Sequence, residues 1–283
     1  MWMIQALFVM VLWAACFPLI GLGLPDAPHI YFAALRALLA GAALLLVGWM
    51  LRRPLPRGTH NWLQLAGIGL GATTLGFIGM FHASAFISPG LATVITNAQP
   101  ILAAVLGYLL IGERLGRYGK AGLILGFAGI VITAWPGTST EGQGYTTGLG
   151  YLLLFAVGIS ISNVLIRRVA GTMDAIMAMA IQLLIGSVPL MLAVVLLEDV
   201  GAISWTVSFV FSLLSLSLVV TALAYWLWCR VLETTELYRA NVFTCLVLGL
   251  GLAMGVFFYD ERISTMVVLG VLMSLVNTKA RAR

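Results

Sequence analysis

In the stretch 89–111, Thr93, Asn97, Pro100 and Ala104 follow one another at intervals of three or four residues, so they share one side of a helix. Their chemistry is recognition rather than bond-breaking. Pro100 lacks a backbone donor and frees the carbonyl of Thr96, which can then accept from a ligand, a water or a hydroxyl. Asn97 carries donors and acceptors together, as the carboxylate and ammonium of an amino acid require. Gln99 has the same capacity but points about 100° away from Pro100. A plainer reading of the same residues stands beside this one: Asn97 bonds to a neighbouring helix and Pro100 only bends its own.

Aromatic and charged residues extend the list. Phe77 and Tyr225 lie 148 residues apart, and with Trp13 they offer flat apolar surface on which a ligand can stack. Trp and Tyr equally favour a membrane–water boundary, and that is the expectation for Trp228 beside Arg230. Asn163 and Asn241 are candidates to face the same space as Trp13 and Asn97. His82 is the deeply placed group whose ordinary pKa, about 6.5, lies near neutrality. Arg36 has two readings. The preferred one is structural, its long side chain snorkelling outward or pairing with Asp26. The other is a bidentate clamp on a substrate carboxylate. Glu113-Arg114 and Glu261-Arg262 each close an apolar stretch and read as tethers or gates.

No set of these residues makes an enzyme. There is no Gly-x-Ser-x-Gly turn and no His-Glu-x-x-His pair, and no two carboxylates share an apolar stretch. Cys16, Cys229 and Cys245 are odd in number and set in apolar segments, so they predict neither a disulfide framework nor a metal site. No cofactor is expected.

What positions these residues is a bilayer. Hydrophobic residues make up 61% of the chain and charged residues 9%, with a mean hydropathy of +1.07. So few charges cannot cover a water-exposed surface. A crossing helix needs about 20 apolar residues, and cutting at Pro, charge and polar clusters gives ten: 3–23, 29–51, 61–86, 89–111, 117–135, 146–169, 174–197, 203–231, 237–258 and 263–278. The first is read as a retained helix, since MWMIQ has no basic leader region. With the N-terminus inside, 13 of the 15 basic residues fall in cytoplasmic loops or the tail. Both termini are therefore expected in the cytoplasm. The net charge of +5 orients the chain and implies no nucleic-acid partner.

The pattern also repeats. Shifted by 148 residues, 88–114 falls on 236–262, matching Ala92 with Ala240, Gly107 with Gly255 and Glu113-Arg114 with Glu261-Arg262. The predicted fold is an all-α membrane protein of ten transmembrane helices, arranged as two inverted five-helix repeats, 1–135 and 147–283, around a central cavity. The polar linker 136–146 joins the repeats outside the cytoplasm. An odd number of spans per repeat makes the halves enter from opposite sides, the arrangement behind alternating access to one site.

These features resemble the drug/metabolite transporter superfamily, in its ten-helix EamA-type exporter branch. The resemblance is carried by Ala33-Ala-Leu-Arg36, by the run from Ala83 through Pro100 to Leu110-Ile-Gly-Glu-Arg114, and by the run from Thr221-Ala-Leu-Ala-Tyr225 to Tyr259-Asp-Glu-Arg262. It is nearest to bacterial exporters of aromatic amino acids. Two departures are Ala14, where the family usually has Gly after Trp13, and Leu248 at the second-half position of Pro100. The resemblance implies export of small metabolites, amino acids first. Small four-helix relatives couple to protons through a carboxylate in their first helix. No counterpart is present here, which favours a facilitator. The alternative is a drug- or nucleoside-type efflux carrier, proton-coupled through His82; a channel or an intramembrane enzyme ranks below both. The expected partners are the lipid bilayer and a small-molecule substrate, with a monomer as the default.

Overall fold

The computed structural model describes residues 2–96, 99–112, 128, 144–198 and 203–259. The first expected span is two helices, α1 (Trp2–Ala14) and α2 (Cys16–Gly23). The break at Ala15 follows from Pro18, whose ring would clash with the carbonyl of Ala14 in a continuous helix. α3 (His29–Met50) ends where Arg52 turns to a φ of +52° and Pro54 forbids another turn.

The third span runs through α4 (Thr59–Ile68), a π-helical segment Gly69–Leu75, and α5 (Gly76–Ala83). α6 (Pro89–Thr96) and α7 (Gln99–Ile111) follow. The second half begins with α8 (Tyr145–Val169) and α9 (Ala175–Leu197), the latter capped by the Asp174 carboxylate on the amides of Ile176 and Met177. α10 (Val207–Leu214), a second π-helical segment Ser215–Leu223, and α11 (Ala224–Thr234) make the next span. α12 (Leu237–Tyr259) is the last described element.

Seven of these stretches are long and apolar enough to cross a membrane, and α12, with 23 residues, follows them. The spans expected at 117–135 and 263–278 lie, but for residue 128, outside the described residues. The largest boundary shift is that the span expected from 203 starts at Val207. Residues 203–206 are instead tied to the α2–α3 turn, with the Ser204 amide donating to the Asp26 carbonyl (2.8 Å) and the Thr206 hydroxyl to its carboxylate (2.7 Å). Thr206 also caps α10 by accepting from the Phe209 amide.

The packing has a two-fold pattern. The second helices of the halves, α3 and α9, lie along each other. The third span of the first half packs on α8, and its counterpart in the second half packs on α1 and α2. α6 and α7 pack on α12. Both third spans are interrupted at matching places, since the π segments 69–75 and 215–223 overlap under the 148-residue shift. Such insertions concentrate at functional positions in helices.

Glycine makes the closest crossings possible. A Cβ on Gly69 would strike the Gln182 carbonyl, and one on Gly158 would strike the Gly71 carbonyl. At both places backbone meets backbone across the two halves, the close approach that small residues allow in membranes.

Candidate functional site

Between the halves lies a cavity whose empty space, counted out to its open mouth, is about 780 Å³. Trp13, Phe77, Thr93, Asn163, Tyr225 and Arg36 all line it, so the structure gathers these six candidates from six different spans. Asn97, Glu113, Arg114, Glu261 and Arg262 lie outside the described residues, as do the side chains of Pro100 and Asn241.

One wall is aromatic. The ring of Trp13 meets Tyr225 edge-on at 6.3 Å and tilts against Trp228 at 5.1 Å. Trp228 is fully buried, and its Nε1 donates to Asn163 Oδ1 at 2.8 Å. The expectation of a boundary anchor at Trp228 is thereby corrected. Its N–H finds a partner on α8, so the residue belongs to the core, where it fixes the Asn163 amide. Phe77, the repeat counterpart of Tyr225, stands below Arg36, whose guanidinium carbon is 4.4 Å from the ring centroid. A cation held over a ring face is attracted by its quadrupole.

Arg36 differs most from its preferred sequence reading. It is 2% exposed and lines the cavity instead of reaching outward. Its Nε donates to Thr221 Oγ1 at 2.7 Å, and its two terminal nitrogens reach Met80 Sδ (3.6 Å) and Cys16 Sγ (3.3 Å). Asp26, the partner expected for it, is bonded to Thr206.

The neutral polar groups divide by role. The hydroxyls of Thr93, Thr96 and Ser162 donate to the carbonyls of Pro89, Thr93 and Ile68, at 2.7, 2.9 and 3.1 Å. All three protons are committed to backbone, and the hydroxyl oxygens of Thr96 and Ser162 accept no hydrogen bond among the described residues. Gln99, whose role the sequence ranked low, is buried against the cavity. Its Nε2, like Asn163 Nδ2, has no hydrogen-bond partner among the described residues.

His82 is placed elsewhere. It ends α5, tilted against Tyr151 at 4.8 Å and edge-on to His29 at 5.3 Å. In the same corner Glu198 closes the start of α3 by accepting from the amides of Ile30 (2.9 Å) and Tyr31 (2.7 Å). A carboxylate at a helix N-terminus satisfies otherwise orphaned donors.

Sequence reasoning passed over Thr221, Gln182 and the sulfurs around Arg36. A signal for Thr221 exists: it is 148 residues from Thr73, and both fall in a π-helical segment. Thr73 in turn donates to Gln182 Oε1 at 3.0 Å. Gln182 was findable as the lone amide in an otherwise apolar span.

Comparison with known proteins agrees with this architecture. The model of the EamA-like transporter family matches twice, over residues 1–135 and 146–278. An uncharacterized transporter, YvbV, of Bacillus subtilis (strain 168) is 30% identical over 98% of this chain and 91% of its own length. A probable amino-acid metabolite efflux pump of Escherichia coli (strain K12) is 28% identical over 95% of this chain and 91% of its own. A solved crystal structure has the same fold, with a TM-score of 0.77 at 19% identity over 99% of this chain and 97% of the other. Two family matches in tandem, on a helical bundle whose halves pack with two-fold correspondence around one cavity, establish that this multi-pass membrane protein belongs to the EamA-like transporter family.

Proposed function

We propose that the protein exports small metabolites, namely neutral amino acids with aromatic ones foremost, by alternating access of its two halves. The observation that carries this reading is the composition of the cavity. An aromatic wall of Trp13, Tyr225 and Phe77 suits a flat apolar side chain. Arg36 and the unpaired amides offer donors for a carboxylate, and the hydroxyl lone pairs of Thr96 and Ser162 can receive an ammonium. The efflux pump of E. coli, similar over nearly its whole length, supports the direction and the substrate class.

The two-fold packing supports alternating access, because matching contacts in opposed halves give inward- and outward-open forms of similar energy. Among the described α-helices the one acidic residue is Glu233, at the end of α11. That favours a facilitator driven by the substrate gradient, with both termini cytoplasmic in a bacterial inner membrane.

The test is uptake of labelled phenylalanine into proteoliposomes loaded with unlabelled phenylalanine. Saturable uptake, stimulated by the internal substrate, is expected. Linear, unstimulated uptake would point to a channel. Uphill flux driven by a pH gradient alone would replace the facilitator with a proton-coupled carrier.

A further inference from the structure

The geometry points to Arg36 as the carboxylate-recognising residue of the cavity, and so to a substrate that must carry a free carboxylate on an apolar body. This rests on the reading of the cavity as the transport site.

The guanidinium has five N–H donors and cannot lose its charge in a protein. Among the described residues only one of those donors reaches oxygen, from Nε to Thr221 Oγ1. The terminal nitrogens, which form the fork that grips a carboxylate, meet two sulfurs at 3.3 and 3.6 Å, and sulfur is a weak acceptor. Phe77 and Phe81 offer ring faces at 4.4 and 5.8 Å, which soften the charge without taking its protons. No described carboxylate is paired with it. A buried cation whose fork holds only weak acceptors is a site that an incoming anion completes.

A second observation is independent of Arg36. Gln99 and Asn163, 7% and 3% exposed, line the same cavity, and each holds an amide nitrogen without a partner. An unpaired buried donor is costly. Three donors left wanting around one space match a ligand rich in acceptors. A carboxylate offers about four lone-pair sites and accepts bidentately from arginine. The aromatic wall disfavours a fully hydrated inorganic anion and suits an organic carboxylate. Thr221, which holds Nε, is a positioning residue: it orients the fork.

The experiment compares four probes that share a phenyl ring: phenylalanine, its amide, 3-phenylpropionate and 2-phenylethylamine. Each is scored for thermal stabilisation of the purified protein in detergent and for competition with labelled phenylalanine in proteoliposomes. Phenylalanine and 3-phenylpropionate are expected to stabilise and compete. The amide and the amine are expected to fall roughly 10- to 100-fold behind, the effect of losing a charge-assisted hydrogen bond. In the folded Arg36→Gln protein, affinity for the two acids should drop by the same factor, while the weak affinity of the amide should not.

Amide and acid binding equally would overturn the inference while leaving amino-acid export standing. Binding of 3-phenylpropionate without phenylalanine would do the reverse. Stabilisation by chloride or phosphate as strong as by the organic acids would also overturn it. Because the probe series uses the unaltered protein, the test survives a failure of the variant to fold.

Discussion

Two corners of the bundle are built on the same plan and do different things. In the first, Arg36 of α3 holds Thr221 in the π segment of the opposite half. In the second, Gln182 of α9 holds Thr73 in the π segment of the other half. The threonines are 148 residues apart, and Arg36 and Gln182 are each the eighth residue of their helices. Yet Arg36 faces the cavity, whereas Gln182 is fully buried. The difference lies in what surrounds each pair. Gly69 and Gly186 let the backbones close around Gln182. Ser217, not a glycine, occupies the position matching Gly69, four residues before Thr221. A duplicated scaffold thus supplies two hydrogen bonds at matching positions, with the threonine accepting in one and donating in the other; one is sealed as a strut and the other borders the cavity.

The comparison breaks most visibly at the seal. Gly69→Leu should cost the fold, because its side chain would drive into the Gln182 carbonyl and the two backbones would have to separate. Loss of the monodisperse peak on size exclusion is the expected result. Next is Gln182→Leu, which leaves the buried Thr73 hydroxyl without its acceptor. The expected destabilisation is about 1–3 kcal/mol, read as a lower thermal midpoint. Adding Thr73→Val should restore most of it, since removing both partners of a buried bond is nearly neutral. The KM for phenylalanine should stay within about twofold in both variants, because neither Gln182 nor Thr73 lines the cavity. The smallest effect is expected from Ser217→Ala. Its hydroxyl is buried and unpaired among the described residues, so removal should leave stability unchanged or raise it by up to about 1 kcal/mol.

Much of the fold was legible because a bilayer imposes a simple rule, that apolar stretches of about 20 residues become helices. The starts at His29, Pro89 and Ala175 fall within a residue of expectation, each beside a Pro or Asp signal. The start of α10 does not, since Thr206 and Asp26 meet across 180 residues of chain. The π segments were hidden because nothing in propensity or hydropathy marks a change from i→i+4 to i→i+5 bonding. Among the residues that line the cavity, Trp13, Phe77 and Tyr225 were legible from repeat position and depth. Trp228 was misread because the boundary preference of Trp outweighed a partner, Asn163, that lies 65 residues away. Arg36 was expected to seek a carboxylate. Its actual oxygen partner is a threonine hydroxyl, and such a pairing is visible only when helices from both halves are set side by side.

The central claim is that one cavity opens in turn to both faces of the membrane, and Cys16 reports on it directly. It is a free thiol on the cavity wall beside Arg36. With Cys229→Ala and Cys245→Ala it becomes the sole thiol of the chain. Its rate of modification by a membrane-impermeant methanethiosulfonate can be measured in right-side-out and in inverted vesicles. Modification from both faces, slowed in each case by phenylalanine, is the result this account predicts. Modification from one face alone, at a rate that phenylalanine does not change, would contradict it.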